Sequence, residues 1–375
     1  MGRLLYDATC APSSATRDRV GAPICGHETF HHDTPCGWAT SGIPGRVPPS
    51  GVEIAISMKS PGIRHRAEFT TTSVDGQLQR IYYYITLACN LRCAHCYVGD
   101  HIGEGRHANA ETVLRNLAKY RAQGARELVL LGGEPTLHPA YQRIVIESVR
   151  LGYSRLVVDT NGCARSPLVH DPRLAGKLTV RLSFEGIGVA QHDAIRGQGA
   201  FSQAIVCLRS ARAAGIRTEV TFTVHAGNYG RLRDVVDFFA REQIAELNFH
   251  FVSVMGKAAE RSTLALSGAM VLAVQEQLDH LRTVATLPLR YPRLLVTEED
   301  WQHELKRGLR CRREARNTLL LLPNESTCHC PLQIPARLGS VCGEQSAPTS
   351  GCMLVHRLLP AGVPHGYRAT CISWK

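Results

Sequence analysis

Between about residue 80 and residue 285, short β-rich runs alternate with amphipathic stretches of helical length. This alternation limits the fold more than any other feature of the chain. The runs at 81–87, 127–131, 155–159, 178–183, 217–224 and 247–252 are dense in branched and aromatic residues and read as strands. The segment 111–123 places Val113, Leu114, Leu117 and Tyr120 on one helical face, and Asn109 stands where a cap is wanted. Segments 201–214 and 229–241 keep the same period, and Gly215 follows the first of them where a helix end favours glycine. Residues 268–285 read as one more helix. Strict β/α alternation predicts an α/β fold, a parallel sheet covered by helices. Six units make a partial (β/α)6 barrel or an open sheet, with chemistry at the C-terminal ends of the strands either way.

Outside this region the alternation stops. Residues 1–57 hold six Pro and seven Gly with no period of 2 or 3.6, and read as a loosely ordered extension; Met58 is a second candidate start. The core domain is expected over 78–290, followed by a small cysteine-rich module over 300–375. That tail holds Cys311, Cys328, Cys330, Cys342, Cys352 and Cys371, six of the chain's 14 cysteines. A 44% hydrophobic, 20% charged composition excludes a mostly disordered chain. No apolar run approaches the ~18–20 residues needed to span a bilayer. The first residues lack the basic segment and apolar core of a secretory signal. The expected setting is therefore cytoplasmic, where clustered cysteines hold metal more readily than disulfides. Of the net charge of +11, residues 1–57 carry −1 and residues 301–375 carry +6, leaving +6 for the remainder. A basic surface attracts an acidic peptide or an anionic metabolite. With no aromatic-basic interleaving, nucleic acid is not an expected partner, and neither is a membrane.

Directly after the first expected strand come Cys89, Cys93 and Cys96, spaced C-x3-C-x2-C. Three thiolates from one short loop can hold three irons of a [4Fe–4S] cluster and leave the fourth open to an exogenous ligand. A zinc site would close all four positions with protein groups; His95 could be offered as the fourth, but it lies between two cysteines of a tight loop, where reaching the same metal is awkward. The loop resembles the signature of the radical S-adenosylmethionine (SAM) enzymes, and further motifs recur in the order of that family. Gly132-Gly133-Glu134-Pro135 follows strand two, Asp159-Thr160-Asn161-Gly162 strand three, and Ser183-Phe184-Glu185-Gly186 strand four. The last is similar to the family's Ser-x-Asp-Gly motif, with Glu185 in place of Asp. His192-Asp193-x-x-Arg196-Gly197-x-Gly199-x-Phe201 resembles a stretch of the subgroup with a C-terminal SPASM or twitch extension. Asn228 and Gly256-Lys257-Ala258 complete the resemblance, which covers roughly residues 80–260.

The resemblance implies that Cys89, Cys93 and Cys96 ligate a [4Fe–4S] cluster. It further implies that Tyr97, Gly133, Glu134, Asn161, Ser183 and Arg196 surround SAM. The Arg196 fork suits the SAM carboxylate, with a surface salt bridge as its plainer role, and Tyr97 belongs near the adenine or simply in the core. Catalytic base and hydrogen donor stay unassigned. In the tail, Cys311, Cys330, Cys342 and Cys352 are the expected ligands of an auxiliary [4Fe–4S] cluster, against a zinc knot or free thiols. Glu325 stands where the extension has Gly, and 319–322 suits a short strand leading into a hairpin. The implied activity is reductive cleavage of SAM to a 5′-deoxyadenosyl radical that abstracts a substrate hydrogen, with flavodoxin or ferredoxin as electron donor. Modification of a ribosomally made peptide is the leading reading. The alternatives are a dehydrogenase, epimerase or decarboxylase of a sugar or nucleoside, and a non-catalytic iron–sulfur or zinc protein.

Overall fold

The computed structural model describes residues 78–103, 105–164, 174, 176–306, 317–333, 338, 359 and 362–369. The extension at 1–57 and the expected ligands Cys311, Cys342 and Cys352 lie outside the described residues.

Six parallel strands run in chain order: β1 (Arg80–Thr86), β2 (Glu127–Gly132), β3 (Arg155–Thr160), β4 (Leu178–Phe184), β5 (Arg217–Val224) and β6 (Glu246–Phe251). Helices α1 (Ala110–Ala122) and α2 (Tyr141–Arg150) follow β1 and β2. Helices α3 (Val189–Arg196) and α4 (Ala200–Ala213) both lie between β4 and β5. A 3₁₀ turn and α5 (Leu232–Arg241) follow β5, and α6 (Gly268–Val284) follows β6. Each expected strand is present within a residue of its expected bounds, because the apolar runs are the segments whose alternate side chains the helices bury. Asn109 caps α1 by accepting from the Thr112 amide at 3.1 Å, and Gly215 ends α4 at φ +72°. Within the β/α region two helices are additional to those read from periodicity, α2 and α3. The second occupies the 192–196 stretch read above as a binding motif.

The sheet is longer than six strands and open among the described residues. Its order is β10-β9-β1-β2-β3-β4-β5-β6-β7, where β7 is Leu289–Arg290, β9 is Thr318–Leu321 and β10 is Thr327–Cys328. A separate ribbon pairs β8 (Leu295–Thr297), which leads into α7 (Glu298–Lys306), with β11 (Tyr367–Ala369). The β9–β10 hairpin from the cysteine-rich tail thus joins the core sheet, with β9 parallel to β1 in the register Ile81↔Leu319 and Tyr83↔Leu321. Local sequence shows the hairpin but not its docking partner, some 240 residues earlier.

The faces of the sheet differ. Ile81, Tyr83, Ile85, Leu130, Val158, Leu182 and Phe222 pack with the helices in the main core. On the opposite face, Tyr84, Leu320, Leu322 and Cys328 form a second cluster with Tyr82, Tyr97 and Leu131 against it. Farther along that face Asp159, Arg181, Glu219 and Glu246 stand in register on four adjacent strands. Glu219 is fully buried and takes Arg155 at 2.7 Å, Arg181 at 3.2 Å and Arg217 at 3.0 Å. Burial opposes its ionisation, but these three cations outweigh burial and hold its carboxyl below the ordinary value.

Candidate functional site

The three cysteines lie on the loop leaving β1, at the C-terminal edge of the sheet. Their loop is bound from three directions. The amide of Glu134 donates to Ala88 O at 2.7 Å and that of Gly133 to Thr86 O at 2.8 Å. A Cβ on Gly133 would lie 2.3 Å from Ala88 O and 2.7 Å from Leu87 O, so only glycine lets β2's end approach this closely. From the far side of the sheet, Lys257 N donates to Cys96 O at 2.9 Å, and Gly256 presses so closely that a Cβ would meet the same oxygen at 2.4 Å. From α3, Ile195 O accepts from Ala94 N at 2.8 Å. Motifs separated by more than 150 residues therefore shape one loop.

Cys89, Cys93 and Cys96 are half-buried free thiols. Burial raises all three; Cys93 is pushed up to about 12 although Arg196 nearby favours its thiolate. Such thiols ionise readily only beside a cation, as at an iron centre. N–H donors already face the sulfurs: Leu91 N lies 3.4 Å and Asn161 Nδ2 3.9 Å from Cys89 Sγ. Among the described residues no group of three His, Cys, Asp or Glu side chains is arranged to hold a single metal ion. His95 does not turn toward the thiols as a fourth zinc ligand through Nε2, which bonds Glu185 Oε1 at 2.9 Å. Three separate thiols on one loop with amide donors to sulfur fit the corners of a cluster.

The other expected residues gather at the same strand ends, with definite partners. Glu134 is fully buried, and its two oxygens accept from Thr136 N and Oγ1, Thr160 Oγ1 and Asn161 N. Burial still raises its carboxyl above the ordinary value despite these donors. Asn161 also donates to Asn90 Oδ1 at 2.8 Å. Tyr97 OH and Tyr84 OH are hydrogen-bonded at 2.6 Å, and burial raises both phenols. Ser183, half-buried, stands near the end of β4. Arg196 is buried and directs Nε and Nη2 onto Glu185, with Nη2 to Oε1 at 2.8 Å, so its partner is internal rather than a surface acid. Asn228 bonds Glu185 O at 3.0 Å.

Residues 83–239 match the family model of the radical SAM superfamily. The chain therefore carries a radical SAM domain over those residues. Its cofactors are those of the family, a [4Fe–4S] cluster and SAM. This radical SAM protein is 28% identical over 233 residues to the pre-heme d1 synthase of Dinoroseobacter shibae, covering 60% of this chain and 53% of the relative. It is 27% identical over 155 residues to the sporulation killing factor maturation protein SkfB of Bacillus subtilis, covering 41% and 37%. The chain spans about half the length of the curated relatives it matches first. Its fold is that of Streptococcus suis SuiB, solved bound to the precursor peptide SuiA, with a TM-score of 0.58 at 16% identity over 74% of this chain and 64% of that one.

In this radical SAM protein the tail comes close to the cysteine loop. Cys328 on β10 is buried in one cluster with Tyr84, Tyr97 and Cys96, and Cys330 follows it. Glu325, in the hairpin turn, takes φ +64°, so the turn keeps the left-handed geometry of the expected glycine with a non-glycine residue. Cys328's position is a functional clue that spacing alone did not reveal. No helix among the described residues is long and apolar enough to cross a membrane.

Proposed function

We propose that Cys89, Cys93 and Cys96 hold three irons of the cluster, and that the enzyme acts on a ribosomally made peptide. The observation that carries the cluster assignment is the convergence of Gly133, Ile195 and Gly256-Lys257 on one loop bearing three thiols. When bound, the reduced cluster with SAM supplies one-electron cleavage of the sulfonium and a radical that abstracts hydrogen. The chain's own groups bind and orient. Asn161 donates toward the Cys89 sulfur and stabilises its anionic form. The backbone at Gly133, bare of side chain, is the surface offered to the SAM amino group. Glu134 holds the ends of β2 and β3 together, because its oxygens are spent on internal donors. Arg196 retains Nη1, outside its pairing with Glu185, for the SAM carboxylate. Ser183 faces the ribose or carboxylate, and Tyr97, backed by Tyr84, walls the adenine side.

Peptide modification is supported by the fold shared with SuiB in its SuiA complex and by the kinship with SkfB. The β9–β10 hairpin adds to this. It brings Cys328 beside the cluster loop, and Cys330, with Cys311, Cys342 and Cys352, supplies the ligands of an auxiliary [4Fe–4S] cluster. Such a cluster would supply either an acceptor for the electron left on the substrate or a ligation site for the substrate. The second reading, a small-molecule substrate, draws on the kinship with pre-heme d1 synthase. The protein works in a reducing cytoplasm with flavodoxin or ferredoxin as donor.

Anaerobic reconstitution tests the proposal. Two clusters give about eight irons and about eight sulfides per chain, and dithionite then releases 5′-deoxyadenosine from SAM. A reconstituted, reduced protein that leaves SAM intact with and without candidate peptides contradicts it. Release that rises with nucleosides or tetrapyrroles and not with peptides favours the second reading.

A further inference from the structure

Glu185 stands after β4 in place of the Asp of the Ser-x-Asp-Gly motif, and its carboxylate is wholly enclosed by the protein. Oε1 accepts from His95 Nε2 at 2.9 Å and from Arg196 Nη2 at 2.8 Å, and Oε2 accepts from Arg196 Nε. Asn228 bonds its main-chain oxygen, so the residue is fixed at both ends. His95 belongs to the cysteine loop itself, between Cys93 and Cys96. The contact therefore joins the loop of β1 to the end of β4, 90 residues later. A backbone bond from Ala94 N to Ile195 O at 2.8 Å joins the same loop to α3, next to Arg196. A carboxylate paired with arginine only accepts, so His95 Nε2 carries the donated proton. Its other nitrogen, Nδ1, is buried with no protein partner. An unsatisfied buried nitrogen is costly, and on a loop that receives a cofactor it is a group reserved for that cofactor.

We infer that Glu185 and His95 are a positioning pair: Glu185 locks the His95 ring between two of the loop cysteines and thereby presents the thiolates and Nδ1 to the cluster and SAM. Arg196 neutralises Glu185 in this arrangement. The inference rests on the assignment of the loop to the cluster. It gives a role to Glu185, to which the resemblance assigned none.

The test uses full-length, anaerobically reconstituted protein with His95→Leu, His95→Gln and Glu185→Gln. His95→Leu removes the donor and leaves the Glu185–Arg196 pair intact, so it keeps the test alive if Glu185→Gln fails to fold. Gln at position 95 carries an amide N–H close to where Nε2–H stands. Three readouts are taken: SAM affinity, the electron paramagnetic resonance signal of the reduced cluster with and without SAM, and thermal midpoint. His95→Leu is expected to weaken SAM binding about tenfold or more and to blunt the SAM-induced spectral change. His95→Gln restores the donor to Glu185 but not Nδ1, so it recovers part of both. The Glu185→Gln/His95→Leu double variant is no worse than the poorer single, because both act through one contact. Parent-like SAM affinity and spectra in His95→Leu, with only the thermal midpoint lowered, would overturn the pair while leaving the cluster assignment standing. Failure of Gln to rescue would overturn it too. A parent whose cluster ignores SAM would overturn the loop assignment and the pair with it, and is recognisable because the variants play no part in it.

Discussion

Glu185 and Glu219 lie on neighbouring strand paths, β4 and β5, both fully buried and both held ionised by arginine, yet they do different work. Glu219 sits within the sheet. Its partners Arg155, Arg181 and Arg217 come from three strands, so its bonds hold strands to strands. Glu185 sits one residue past the end of its strand. Its partners come from the cysteine loop and from α3, so its bonds hold loops to the sheet. Glu134, at the end of β2, is a third case. It has neutral donors only, and burial keeps its carboxyl raised where the arginines lower the other two. The rim of the sheet is built to place groups, and its interior row is built to stay folded.

The largest effect separating rim from row is expected at the rim. Cys93→Ala should lose the SAM-binding cluster, lowering iron by about four per chain and abolishing 5′-deoxyadenosine, while the apo-protein's thermal midpoint stays near the parent's. Parent-rate 5′-deoxyadenosine from this variant would refute the loop assignment. In the row, Glu219→Ala should cost about 2–3 kcal/mol in urea unfolding, because it removes the closest acid of Arg155 and Arg181 and leaves them Glu246 at 3.9 Å and Asp159 at 3.5 Å. The folded fraction should still cleave SAM; loss of cleavage with intact folding would erase the distinction drawn here. Gly133→Ala forces a methyl group onto Ala88 O and should cost about 1–3 kcal/mol. Unlike the row variant, it should also lower iron uptake per folded chain.

Acid titration separates the regions more gently. The depressed carboxyl of Glu219 contributes stability that is fully present above its ordinary value of 4.5 and is lost as pH falls through its lower folded value. Parent stability should therefore fall more steeply than that of Glu219→Gln below about pH 4.5, as read from denaturant midpoints. The smallest effect is expected at the hairpin turn. Glu325→Gly relieves a left-handed backbone and should stabilise by up to about 1 kcal/mol; a loss of stability would show that contacts of the Glu325 side chain outweigh the strain.

The core strands were legible because period and composition report which face each residue buries, a local property. The place of the cysteine loop, directly after β1, was legible for the same reason, whereas the close approach of Gly133 to Ala88 and Leu87 shows only in the structure. Three further features were not legible. The docking of β9 on β1 joins segments whose pairing no local pattern encodes. The Glu185–His95 contact spans 90 residues, and a glutamate in a motif position carries no mark of where its carboxylate points. Arg196 was read as a fork for a ligand or a surface acid, whereas its buried partner, 11 residues earlier, is brought to it by the turn between β4 and α3.

The most direct test of the central claim is spectroscopy of the reduced, anaerobically reconstituted protein before and after SAM is added, with Cys311→Ala, Cys330→Ala, Cys342→Ala and Cys352→Ala combined to silence the tail. Three protein thiolates leave one iron exposed, and SAM should then change the signal and be cleaved. A cluster with four protein ligands, unmoved by SAM, would contradict the account.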